Sequence, residues 1–513
     1  MSGESHDEKS AAQTASDDVS NVVMGTEAQA IDPEVEKRVL RKIDWFLMPV
    51  MVIGYGLVYY DKAILGSAAL FGLTTDLQLS VVDKATGAVD TSRLSWATSI
   101  FYIGQLLGSY PMTYLLQRLN APRYVLGPAA VSWSIICAAT AGVGSWRGLL
   151  VQRFFLGFTE SIIPTAFMTL ISSFYTQSEQ SLRHALWFSG VGWFTIIGSA
   201  LNYGVAQITS GPLRPWQSIY LLAGGLTFLF GLACFALPHS PLDAWFLSTE
   251  ERRVAVERLR KGQTGTRGGG GKDGDVNQHI KTPQIWEALW DVKVWLVALI
   301  MGAGYTVNGA VSGFGPLIVS TFGYTSLESI LFQFPLGAVS AIGIPLTGYL
   351  CSRYRNLRII TLVLCCLPVI AGYVVIWKST WGNRPAAPVV GYSLIGFFGP
   401  VVGLAVSLGA GNVAGATKKS SMAAAVFVAY CVGNIVGPQL VRSQTKSQHY
   451  PALWTGLIIF YVITILAAIS LYIVLFRENR RRDHLNLNDE RERDAIAFKD
   501  LTDKENMYFR YVL

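Results

Sequence analysis

The chain has 513 residues, of which 51% are hydrophobic and only 15% charged, and its mean hydropathy is +0.37. That is more apolar surface than one soluble core of this length would bury, so a single water-soluble domain is excluded in favour of a protein dissolved in lipid. The formal charge of +7 does not form the continuous basic stripe that nucleic acid requires, because the Lys and Arg residues lie in short clusters between apolar runs.

Residues 1–30, with Glu4, Glu8, Asp17 and Asp18, are too polar for the hydrophobic segment of a signal peptide, and 1–42 is expected to be a disordered cytosolic tail. A helix needs roughly 20 largely apolar residues to cross a bilayer. Six suitable segments centre near 45–66, 95–117, 124–143, 148–174, 185–208 and 217–237, and six more near 293–320, 328–351, 358–377, 388–414, 420–441 and 453–476. The expected fold is an all-α membrane protein of twelve transmembrane helices in two six-helix halves, 43–238 and 292–476. A cytosolic central loop, 239–291, lies between them and a cytosolic C-terminal tail, 477–513, follows.

Basic clusters fall after every second helix: Arg118 and Arg123, Arg183, Arg252 to Lys281, Arg353 with Arg355 and Arg358, Lys418 and Lys419, and Arg477 to Arg482. Positive charge marks the cytosolic side, so both termini are expected there. Within the central loop, residues 248–260 have the pattern of a charged helix capped by Ser248 or Thr249. The run Gly268 to Gly271 before Lys272 is a linker and not a phosphate loop, since no Ser or Thr follows the lysine and no strand precedes it. The pair Arg118 and Arg123 recurs in its spacing as Arg353 and Arg358, which suits two related halves. Those four arginines are candidates for gating. Cys137, Cys234, Cys365, Cys366 and Cys431 lie within apolar segments and suit helix packing better than a disulfide framework. No metal-ligand spacing, nucleophile with an aligned base or dinucleotide fingerprint is present, so enzyme activity has no support.

Several stretches resemble the major facilitator superfamily, and within it the fungal allantoate-permease branch of the anion:cation symporter family. They include residues 60–72, 95–102 and 110–118, and Arg153, Gly157 and Glu160 in an Arg-x-x-x-Gly-x-x-Glu pattern. Residues 237–252, 412–419, 433–439 and 500–511 complete the likeness. The superfamily's Asp before the loop arginine is replaced by Gln117 before Arg118 and by Ser352 before Arg353, and Ala416 stands where branch members often have histidine.

An ionisable group at the bilayer centre costs about 2.5 to 3.5 kcal/mol unless paired or hydrated, so Asp61, Lys62, Arg153 and Glu160 need a reason. Arg153 and Glu160 are almost two helical turns apart on one face, about 10 Å along the axis. At that depth they are expected to share a cavity with Asp61 and Lys62. The expectation is that Asp61 and Glu160 carry protons while Lys62 and Arg153 hold a substrate carboxylate, an assignment the resemblance also implies. In the second half the neutral groups Tyr305, Asn308, Gln333, Tyr430 and Asn434 are expected to orient substrate. The expected activity is proton-coupled uptake of a small organic anion, such as a ureido acid like allantoate, a carboxylate vitamin or an amino-acid-like acid. An exporter of an acidic metabolite and a non-transporting nutrient sensor are the alternatives. The expected partners are the anionic substrate and the lipid bilayer, with no nucleic acid. The carrier is expected to act as a monomer in the plasma membrane, with no cofactor and the proton as coupling ion.

Overall fold

The computed structural model describes residues 32–82, 89–119, 122–208, 211–261, 281–354, 356–485 and 501–513. The acidic stretch 1–31, the glycine run 268–271 and Arg355 lie outside the described residues.

Ten helical segments among the described residues are long and apolar enough to cross a bilayer: Pro33–Asp76, Arg123–Gly142, Trp146–Phe174, Pro215–Cys234, Val292–Ser320, Ser326–Arg353, Arg358–Lys378, Ala386–Gly411, Ala416–Gln439 and Pro451–Asp483. Two more complete the twelve, Ser92–Leu119 and the pair Gln177–Phe188 and Gly190–Ala206 joined at Ser189. Numbered in chain order as spans 1 to 12, they place Ser92–Leu119 second and 177–206 fifth. The two-residue strands β1 (Val81–Val82) and β2 (Val89–Asp90) pair antiparallel after span 1, Val81 opposite Asp90. Large apolar side chains such as Leu229, Ile342 and Leu466 face outward, as a lipid solvent requires and water would not reward.

Span 1 begins ten residues before the boundary expected for the tail. Asp32 accepts a hydrogen bond from the Glu34 N–H at 2.9 Å, Pro33 takes the first helical position, and Glu34 and Glu36 occupy the first turn. Each of these favours a helix start. At its far end span 1 is interrupted by a wide turn over Ala69–Leu73, where Gly72 takes φ +101°, a region that L side chains avoid. Span 4 is interrupted at Ser161. Pro164 cannot donate to the carbonyl of Glu160, and its ring crowds that oxygen, so the ladder opens beside a buried carboxylate.

Close helix approach runs through small residues. A Cβ on Gly104 would stand 2.1 Å from the Phe154 carbonyl oxygen, and one on Gly157 would stand 2.0 Å from that of Phe101, so spans 2 and 4 meet backbone to backbone. Gly433 and Gly437 bring span 11 equally close to the carbonyls of Gly302 and Thr306 in span 7.

The loops alternate between two faces. Residues 33–44 and 477–485 share one, called here the terminal face, and β1 and β2 lie on the other. The hydrogen bonds described between the halves gather from mid-depth to the face opposite the termini. Ser95 Oγ donates to the Pro438 carbonyl at 2.9 Å, Ser99 Oγ to that of Ile435 at 3.0 Å, and Gln439 Nε2 to Ser99 Oγ at 3.1 Å; the Thr91 and Ser443 hydroxyls meet at 2.6 Å. Toward the terminal face, Tyr110 and Tyr114 of span 2 are 80% and 54% exposed. Spans 2 and 11 are thus sealed at one end.

Candidate functional site

Neighbouring residues on a helix leave it about 100° apart, and that angle divides the four membrane charges into two pairs. Lys62 follows Tyr55 and Tyr59 at helical spacing and faces span 2 and the second half. Its ammonium lies 2.7 Å from Glu160 Oε1 and 5.2 Å over the Phe101 ring. Lys62 is 8% exposed and Glu160 is fully buried. The tyrosines at 55 and 102 lie near the Glu160 carboxylate.

Asp61 turns instead into the first half, toward Trp133 and Cys137 of span 3. The Trp133 indole N–H and the Cys137 thiol are the donors its carboxylate faces. Arg153 donates to the backbone carbonyl of Asp61 at 3.1 Å and to the Tyr220 hydroxyl at 2.6 Å. The four groups expected in one cavity thus differ in their direct contacts, while Arg153 and Asp61 stay within electrostatic reach of Glu160. Lys62 and Glu160 meet at the surface between the halves, while Arg153 and Asp61 occupy a polar core among spans 1, 3, 4 and 6. Arg153 directs its described donors to Tyr220 of span 6 and the Asp61 carbonyl of span 1.

In the second half, Asn308 Nδ2 donates to Asn434 Oδ1 at 2.7 Å and reaches the Tyr102 hydroxyl of the first half at 3.4 Å. Asn434 in turn donates to the Tyr430 carbonyl at 2.8 Å. Tyr430 packs edge-on against Tyr305 with centroids 4.6 Å apart, and against Tyr102 at 5.9 Å. Gln333 accepts from the Tyr392 hydroxyl at 2.9 Å. Asn308 Oδ1 and Gln333 Nε2 are buried without a partner among the described residues, leaving one acceptor and one donor unmatched. Tyr55, Tyr59, Tyr102 and Tyr392 belong to this surface and were not singled out from sequence. The spacing of Tyr55, Tyr59 and Lys62 was the available signal.

The four loop arginines do not pair across the halves. Arg118 and Arg353 are exposed, and among the described residues neither makes an ion pair. Arg123 lies 3.9 Å from Asp243 of the central loop. Against burial that would raise it, hydrogen bonds from His239 and the Ser240 N–H hold the Asp243 carboxyl below its usual range. Arg358 donates to the Ser407 carbonyl at 3.2 Å, within its own half. Gln117 and Ser352 precede Arg118 and Arg353, in place of the acid that the resemblance leads one to expect there.

The sequence profile of the Major Facilitator Superfamily matches residues 51–438. Allantoate permease of Saccharomyces cerevisiae is 30% identical over 508 residues, covering 96% of this chain and 89% of that protein. The thiamine pathway transporter THI73 of the same yeast is 29% identical over 97% of this chain and 90% of its own. In three dimensions the chain is similar to the proton:xylose symporter XylE bound to 6-bromo-6-deoxy-D-glucose, with a TM-score of 0.63 and 14% identity, covering 83% of this chain and 95% of that one; this likeness concerns the fold. With three-quarters of the sequence matched, a relative at 30% identity and the fold in agreement, the protein is a multi-pass membrane transporter of the Major Facilitator Superfamily.

Proposed function

We propose that the protein is a proton-coupled importer of a small organic anion, working by alternating access as a monomer in the plasma membrane with its terminal face in the cytosol. The observation that carries this reading is the Lys62–Glu160 pair, buried at 2.7 Å between the halves. A carboxylate substrate and Glu160 compete for one ammonium. When Glu160 takes a proton, Lys62 is left with an unanswered positive charge that a substrate carboxylate can meet. When the substrate leaves toward the cytosol, Glu160 gives up its proton and reclaims the lysine. Asp61, ionisable and fully buried, is assigned as a second proton site. Arg153 steadies it through the backbone and does not hold substrate. Tyr305, Tyr430, Asn308, Asn434 and Gln333 form the wall that orients the rest of the substrate. The basic residues Arg480, Arg481 and Arg482 at the terminal face support the orientation. Names such as allantoate permease among the relatives support an anionic substrate, a ureido acid, a carboxylate vitamin or an amino-acid-like acid.

The test uses purified protein in liposomes with an imposed pH gradient, radiolabelled allantoate and a panel of small carboxylates. The unaltered protein accumulates its substrate when the exterior is acidic. Glu160→Gln keeps substrate exchange and loses proton-driven accumulation. Unaltered pH-driven accumulation by Glu160→Gln removes Glu160 from coupling.

A further inference from the structure

Away from the membrane charges, the densest polar site described is occupied by the chain's own residues 501–513. Two asparagines read its backbone as a strand would. Asn479 of span 12 donates to the Tyr511 carbonyl at 2.8 Å and accepts from the Tyr511 N–H at 2.9 Å. Asn412, between spans 10 and 11, does the same for Val512, at 3.0 and 2.8 Å. The Arg482 guanidinium, 1% exposed, donates to the carbonyls of Asp503, Asn506 and Phe509 and to the Tyr511 hydroxyl. The Asp503 carboxylate contacts Lys293 of span 7 and Lys418 of span 11, the latter at 2.7 Å, and accepts from the Tyr511 hydroxyl at 2.7 Å. The Leu513 carbonyl accepts from the Arg358 N–H at the start of span 9, at 3.0 Å. Glu287 and Asp291 lie beside Asp503, but the Lys418 ammonium bonds to all three acids at 2.7 Å and fills the place a cation would take.

These partners come from spans 7, 9, 11 and 12 and the 10–11 turn, all in the second half. The helix Thr249–Lys261 serves the first half in the same way. Arg258 bonds to Glu179 at 2.9 Å and to the Phe174 carbonyl, and Glu251 pairs with Lys42 at 2.5 Å. A clasp joining the two halves at this face would have to break in every transport cycle, whereas a clasp within one half can stay closed while that half rocks. We propose that residues 501–513 act as an intramolecular peptide ligand whose seating fixes the terminal-face ends of spans 7, 9, 11 and 12 together, so that the second half moves as one body.

Hydrogen exchange of the full chain tests this. In Asn412→Ala/Asn479→Ala, amides 503–512 exchange at least tenfold faster, and so do those in the terminal-face turns of spans 7, 11 and 12; amides in the helix Gln177–Phe188 of the first half are unchanged. A chain ending at residue 500 shows the same loosening, and a synthetic peptide of residues 501–513 added in trans restores protection. Should the shortened chain not fold, the double variant decides alone. Full exposure of amides 503–512 in the unaltered protein, no change in the double variant, or release of the segment without loosening of the span ends would each overturn the proposal.

Discussion

Asp503→Asn isolates the charge within the 501–513 clasp, since it keeps the shape of the side chain. Burial alone would raise the Asp503 carboxyl, but attraction to the Lys293 ammonium and hydrogen bonds from Lys293 and Lys418 outweigh that and hold it at about 2, from an ordinary value of 3.8. The difference corresponds to roughly 2 kcal/mol of preference for the seated, charged form, on the order of tens of fold in the opening equilibrium. The released segment takes up a proton more readily than the seated one, so seating is fully supported above pH 4 and loses this contribution as the pH falls from 4 toward 2. At pH 7, amides 503–512 of Asp503→Asn should therefore exchange on the order of tens of fold faster than in the unaltered protein, if the whole linkage is lost. After correction for intrinsic exchange, the unaltered protein should lose protection between pH 4 and pH 2 while the variant stays flat. Protection within threefold of the unaltered protein at pH 7, or the same acid response in both, would refute the reasoning.

Three further outcomes are expected. Replacing Lys62 or Glu160 alone with methionine should lower stability by about 3 to 5 kcal/mol because a buried charge is left unpaired, whereas the double replacement recovers most of the loss; thermal unfolding in detergent reads the cycle, and additive losses would contradict the pairing. Gly157→Val, whose Cβ would stand 2.0 Å from the Phe101 carbonyl oxygen, should cost about 3 kcal/mol or more and cut folded yield, because backbone cannot move aside as a flexible side chain can; a yield and melting point like the parent's would count against the close approach. Ser99→Ala removes bonds to the Ile435 carbonyl and from Gln439, worth about 0.6 kcal/mol each in a membrane. It should weaken the seal opposite the termini, read as several-fold faster thiol labelling of a cysteine placed at Ser95.

The spans were legible because a run of apolar residues long enough for a bilayer admits few other readings. The start of span 1 was legible too, in Asp32 and Pro33, but its first turns are charged and were assigned to the tail. Helix faces were read for Arg153 and Glu160 but only depth for Asp61 and Lys62, which lie at one level and yet about 100° apart around the helix, so one faces the first half and the other the centre. Tyr55 and Tyr59 stand on the Lys62 face and could have marked it. The resemblance marked residues 412–419 and 500–511, but their meeting in the clasp was not legible. Lys293 and Asp503 are separated by 210 residues, and no local pattern relates a lysine at a span's start to an aspartate in a polar segment.

The separation of the two charge pairs bears on how such a carrier avoids leaking. An empty carrier must pass between its two faces with no ion aboard, and an unpaired charge in mid-membrane costs about 2.5 to 3.5 kcal/mol. With Glu160 ionised, Lys62 is already neutralised at 2.7 Å, so the empty form can turn over without a foreign ion. With Glu160 protonated and no substrate bound, Lys62 stands alone and that form is penalised. Under the coupling proposed above, a proton would cross cheaply only when an anion accompanies it, because the salt bridge would otherwise leave Lys62 unpaired. Arg153 is placed differently, since the hydrogen bonds described for its guanidinium go to Tyr220 and the Asp61 backbone.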